Sequence, residues 1–285
     1  MNKLSIFFKG MLMGICDTIP GISGGTIAFI TGIYIRLINS VNGFVELFKN
    51  ILLRKKITRK NFRKLDVWFL IILLAGIFNA IFLFSKVVSY LLDNYFTWTI
   101  SFFIGLILAS SLIIFENIKN HKMKNYFVCF IGFIIGVLFA FIVPAKIEPG
   151  LFYVFLGGFF GISAMFLPGI SGAFILLIMG LYEFILNAIH NIKDYFWYLV
   201  VFGFGAILGA MSISKLISYL FEKDKCKTLY FLLGLVIGSL SVPIKRIVNL
   251  NDSFGFEKIM LIFFFILVGI LVVYFVRLFE REKTN

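Results

Sequence analysis

Two copies of one short run, Pro20-Gly21-Ile22-Ser23-Gly24 and Pro168-Gly169-Ile170-Ser171-Gly172, hold the residues of this chain best suited to bind an anion. Proline cannot continue a preceding helix, and glycine permits unusual dihedrals and close backbone approach, so each run marks a break after which a new helix begins. A helix start has free N–H groups and a partial positive charge. Gly21, Ser23, Gly24, Gly25 and Thr26 surround the first such start, and Gly169, Ser171 and Gly172 the second. Phosphate or carboxylate is the natural occupant of such a place. The competing reading is a Gly-rich turn that only lets two helices pack closely.

The charged residues near these runs are few. Lys86 and Lys215 each lie six residues before the end of an apolar stretch, at Leu92 and Phe221. A lysine that deep costs about 2.5–3.5 kcal/mol to insert, so it needs a partner or a wet pathway. Its alternative is to snorkel the ~9 Å to the interface. Asp17 precedes the first run and has Met165 as its counterpart, whereas Glu183 follows Tyr182 and faces Ile35. Either carboxylate is placed to carry a proton, and Asp17 is equally placed to cap a helix. Arg36 reaches either a headgroup phosphate or the membrane interface.

The elements that position these groups belong in a membrane. Of 285 residues, 61% are hydrophobic and 14% charged, with a mean hydropathy of +1.02, which excludes a water-soluble domain. The net charge of +13 needs no nucleic acid, since basic residues collect in the cytoplasmic loops of membrane proteins. The three cysteines lack metal or disulfide spacing, the two histidines fall in loops, and no cofactor or metal is implied. Apolar stretches at about 67–92, 96–115, 126–143, 196–221, 228–244 and 257–279 are long enough to span. Two further regions, 4–40 and 151–190, are interrupted by Pro20-Gly21 and Pro168-Gly169 and read as re-entrant hairpins. No cleavable signal peptide is expected. With the hairpins re-entrant, nineteen of the 27 basic residues share one face and five the other. That predicts an all-α, multi-pass protein of the plasma membrane with both termini in the cytoplasm.

The sequence also repeats itself. Residues 20–41 lie over 168–189 at an offset of 148, matching PGISG, Gly32 with Gly180, and Tyr34 with Tyr182. Ser85-Lys86 to Leu91 lies over Ser214-Lys215 to Leu220 at an offset of 129. An odd number of crossings separates equivalent points, so the halves are expected to be inverted, as in many secondary transporters. The expected division is a first repeat over 1–120, with hairpin 4–40 and a basic cytoplasmic loop 49–66. A connecting helix over 121–150 follows, then a second repeat over 151–248 with hairpin 151–190, and a final helix and tail over 249–285.

Gly14-x-x-Asp17-x-x-Pro20-Gly21-Ile-Ser23-Gly24-Gly25-Thr26 with Gly32-Ile-Tyr34 resembles the first signature of the bacterial and archaeal polyprenyl-phosphate transporter family. Leu167-Pro168-Gly169-Ile-Ser171-Gly172 with Gly180-Leu-Tyr182 is similar to its second. Ile35 departs from the acidic residue that often follows the tyrosine. The resemblance covers nearly the whole chain and implies a translocase that returns undecaprenyl phosphate, the lipid carrier of envelope synthesis, to the cytoplasmic leaflet. Its partners would be a polyprenyl-phosphate lipid, membrane lipids and protons, with no nucleic acid.

A small-anion channel or exchanger would use the same helix starts, and a closed aqueous pore rather than a lateral opening would mark it. An intramembrane phosphatase would need a nucleophile or a convergent acid and base, which two loop histidines do not supply, so no enzyme is expected. A scaffold would need no inward Lys or Asp.

Overall fold

The computed structural model describes residues 2–17, 23–53, 65–116, 118, 121–142, 148–250 and 255–282. Pro20, Gly21 and most of the basic loop 49–66 lie outside the described residues. The described elements are helices: α1 (Lys3–Asp17), α2 (Gly24–Ile30), α3 (Tyr34–Leu52), α4 (Val67–Glu116), α5 (Met123–Leu138), α6 (Leu151–Met165), α7 (Gly172–Ile178), α8 (Tyr182–His190), α9 (Ile192–Lys223), α10 (Lys225–Ser239), α11 (Ser241–Asn249) and α12 (Phe256–Glu282).

Among the described residues, six stretches are long and apolar enough to cross a membrane: Val67–Phe84, Tyr90–Glu116, Met123–Phe141, Ile192–Lys223, Lys225–Asn249 and Phe256–Phe275. The all-helical, polytopic membrane protein expected from composition is the architecture observed. The expected break between 92 and 96 is a change of direction inside α4, at Tyr95 (φ −136°, ψ 36°). Its counterpart at an offset of 129 is Asp224, where α9 gives way to α10.

The interrupted regions are more broken than expected. Besides the separation of α1 from α2 and of α6 from α7, α2 is bent by 118° from α3, and α7 by 108° from α8. Gly32 (φ 75°) and Gly180 (φ 66°) make these turns in the left-handed region that only glycine enters without strain. The repeat that the sequence pairs at these two glycines is therefore a shared backbone form.

Close helix approach extends the duplication. Glycine at a crossing lets backbones touch, where packing and weak Cα–H···O contacts replace a hydrophobic driving force. In one compact unit, Met1–Ile81 with Phe141–Lys225, a Cβ on Gly76 would run into the Phe7 carbonyl, and one on Gly205 into the Phe155 carbonyl. These are one contact, α1 with α4 and α6 with α9, repeated at offsets of 148 and 129. In the other unit, Phe82–Ala140 with Cys226–Asn285, Gly132 of α5 closes on Phe231 of α10, and Gly269 of α12 closes on Phe102 of α4. That pairing makes α5 and α12 counterparts at an offset of 137. Each half thus packs its last helix against a helix of the other half. The stretches read from sequence as a connector (121–150) and a final helix (249–285) hold equivalent places in these contacts.

Candidate functional site

The first motif's helix start is closed by the chain itself. Ser23 is the N-cap of α2 and accepts a hydrogen bond from the Gly25 amide at 3.2 Å. Asp17, at the end of α1, accepts the Gly24 amide on Oδ1 at 2.7 Å. The Thr26 and Ile27 amides both donate to the Ser23 carbonyl. The amides of residues 24–27 at this start are therefore taken, that of Gly24 by a carboxylate folded back from α1 and the others by Ser23. Ser23 and Thr26 are both 2% exposed.

The two motifs meet. The Gly169 amide donates to Thr26 Oγ1 at 2.8 Å, and Tyr34 Oη donates to the Phe166 carbonyl at 2.8 Å. A Cβ on Gly25 would stand 2.6 Å from the Met165 carbonyl oxygen, so only glycine permits this approach. Gly169 itself has φ 93°, which turns its amide toward Thr26. The Tyr34 ring lies 5.6 Å from Phe29 and 6.2 Å from Phe221, fixing the hydroxyl that reaches across.

The second helix start is open. Ser171 caps α7 through the Phe174 amide at 3.4 Å, and the Ile175 amide reaches the Ser171 carbonyl at 3.1 Å. Among the described residues, nothing accepts the amides of Gly172 and Ala173. Met165, the counterpart of Asp17, packs beside Gly172, and a thioether side chain offers no comparable acceptor. Ser171 and Gly172 are half-buried, whereas Gly24, Gly25 and Thr26 are buried.

Among the described residues, none of the remaining charged candidates bonds to either motif. Arg36 donates from Nε and Nη2 to the two oxygens of Asp66, at 2.6 Å and 3.1 Å, and its guanidinium lies 4.3 Å from the Phe69 ring centre. The same places in the second half hold Phe184, Tyr195 and Tyr198, with ring centres 5.5 Å and 5.2 Å from Phe184. Arg36 therefore joins α3 to the start of α4 as an aromatic cluster joins α8 to α9, and its guanidinium is committed to Asp66. Lys215 lies in the first unit and Lys86 in the second, and both are exposed without an ion pair or hydrogen bond among the described residues. Glu183 is exposed in the first turn of α8, one residue after Tyr182.

A family model described as undecaprenyl phosphate translocase-like (VCA0040-like) matches residues 13–256. The chain belongs to this family. It is 37% identical over 240 residues to the polyprenyl-phosphate transporter of Vibrio cholerae serotype O1, covering 84% of this chain and 77% of the relative. To the polyprenyl-phosphate transporter of Staphylococcus aureus it is 31% identical over 250 residues, covering 81% and 83%. No solved structure matches the chain significantly.

Within this undecaprenyl phosphate translocase-like chain, sequence reasoning passed over two donors to half-helix ends. Lys9 Nζ donates to the Thr31 carbonyl at the end of α2, at 2.7 Å, and Tyr153 Oη donates to the Met179 carbonyl at the end of α7, at 2.9 Å. Thr31 and Met179 are counterparts at the 148 offset, but Lys9 and Tyr153 are not, so the alignment gave no signal for either donor.

Proposed function

We propose that this chain transports polyprenyl phosphate, of the undecaprenyl phosphate type, between the leaflets of the plasma membrane. It would thereby recycle the lipid carrier of cell-envelope synthesis. The names of its relatives, transporters rather than enzymes, support the substrate class. In this reading the termini are cytoplasmic and the halves inverted. Trp68 and Trp197, counterparts that are 72% and 69% exposed, suit the two opposite interfaces.

The observation that carries the reading is the bond from Gly169 to Thr26, which brings both anion-suited motifs to one place. A phosphate monoester bears a charge of about −1.5 to −2 near neutrality, and its prenyl tail can stay in lipid. The headgroup is received where the open amides of Gly172 and Ala173 and the Ser171 hydroxyl border this junction. Asp17 fills the corresponding place in the first half with the protein's own anion. A charged Asp17 repels the phosphate and a protonated one does not, so loading is linked to a proton. Reconstitution of the purified chain with labelled polyprenyl phosphate, read by leaflet accessibility, tests the function.

A further inference from the structure

We infer that Lys9 is a positioning residue that acts with Asp17 through α2, a step that deepens the proposed transport function. Both residues project from α1. Asp17 takes the Gly24 amide at the N-terminal end of α2, and Lys9 takes the Thr31 carbonyl at its C-terminal end. Eight residues of α1 rise ~12 Å, and the seven of α2 span ~10 Å, so the two side chains bracket the short helix end to end. The signs match the helix dipole: a carboxylate at the positive end and an ammonium at the negative end.

The second half lacks both charges together. The counterparts of Lys9 and Asp17 are Gly157 and Met165. There the equivalent carbonyl, of Met179, is held by the neutral Tyr153 hydroxyl, and the helix start has no acceptor from α6. The two ions therefore occur as a set, present around α2 and absent around α7. A seven-residue helix is too short to hold itself in place, since nucleation costs more than so few internal bonds return. Lys9 anchors the end of α2 away from the motif, which keeps Ser23, Gly24 and Thr26 in register with Gly169. When Asp17 lets go of Gly24, the Lys9 anchor keeps α2 docked on α1 so that the carboxylate can return to the same amide.

The test uses the full-length protein in liposomes, with Lys9→Met, Lys9→Arg, Asp17→Asn and the double variant Lys9→Met/Asp17→Asn. Two readouts are taken: leaflet transfer of labelled polyprenyl phosphate, and amide hydrogen exchange of peptides covering 24–33 and 172–181. Lys9→Met should speed exchange in the first peptide, leave the second unchanged, and slow transport roughly tenfold, as expected for losing a hydrogen bond to a charged group. Lys9→Arg should restore both readouts, and the double variant should be no slower than its slower parent, the mark of residues acting as a unit. Unchanged exchange over 24–33, no rescue by arginine, or additive losses in the double variant would each overturn the inference. If Lys9→Met does not accumulate, Lys9→Gln is measured in its place against the same expectations. A wild-type chain that moves no lipid would count against the proposed function, and the exchange data would still decide the role of Lys9.

Discussion

Asp17 and Met165 occupy the same position in the two halves, yet one closes a helix start and the other leaves its partner open. Asp17 Oδ1 holds the Gly24 amide at 2.7 Å, whereas Met165 only packs beside Gly172. One carboxylate therefore breaks the symmetry of a duplicated site. A symmetric pair of anion sites could equilibrate a lipid phosphate but not drive it. In the proposed transport, Asp17 is then the ionisable group that would set direction.

Asp17→Asn should behave as a permanently protonated residue. The amide of asparagine keeps an oxygen that can accept from Gly24 but carries no charge to repel phosphate. Wild-type loading should rise as pH falls, because protonation removes the repulsion. The variant should hold headgroup at every pH, release it slowly, and lose most of that pH dependence. Transport rates in liposomes across a pH series check this, and an unchanged profile would reduce Asp17 to a helix cap.

The two motif serines should separate. Ser23 is buried and caps a closed helix start, so Ser23→Ala should cost about 1 kcal/mol of stability with little direct effect on headgroup affinity. Ser171 is half-buried beside amides that have no acceptor among the described residues, so Ser171→Ala should weaken headgroup affinity roughly threefold to tenfold. Thermal unfolding in detergent, together with titration of a short-chain prenyl phosphate, distinguishes them. Equal binding losses in both variants would contradict the asymmetry.

Arg36 and Asp66 should prove to be a structural pair. Each is about one-third exposed (39% and 33%), so the ion pair is screened and Arg36→Ala should cost only about 1 kcal/mol, part of it from lost contact with Phe69. The double variant Arg36→Phe/Asp66→Tyr, which copies the aromatic set of the second half, should restore stability and transport. Loss of headgroup binding in that double variant, with stability intact, would return Arg36 to the phosphate site.

Much of this arrangement is legible in the chain. The apolar runs mark the spans because lipid leaves the backbone no partner but itself. PGISG marks the two breaks, and identical glycines at 32 and 180 mark two turns that share a left-handed dihedral. Three features are not legible. The equivalence of α5 and α12 rests on backbone approach at Gly132 and Gly269, a contact between helices far apart in the chain that no spacing within one helix announces. The Asp17 bond to Gly24 spans the motif break, and no spacing rule says on which side of a break a carboxylate will fold back. Arg36 reads as a contact for either a headgroup phosphate or the interface, because its partner, Asp66, lies thirty residues away at the far end of the basic loop.

In the proposed function the joined motifs carry a lipid phosphate across the membrane. Its most direct test is leaflet transfer of labelled polyprenyl phosphate in liposomes, comparing the wild-type chain with Thr26→Val. That variant keeps the shape of the side chain and removes the acceptor of the Gly169 amide. Leaving that amide unpaired costs about 1–3 kcal/mol, which weakens the joint between the motifs. The wild type should transfer the lipid, and Thr26→Val should lose at least about fivefold at equal abundance in the membrane. No transfer by the wild type, or equal transfer by both, would contradict it.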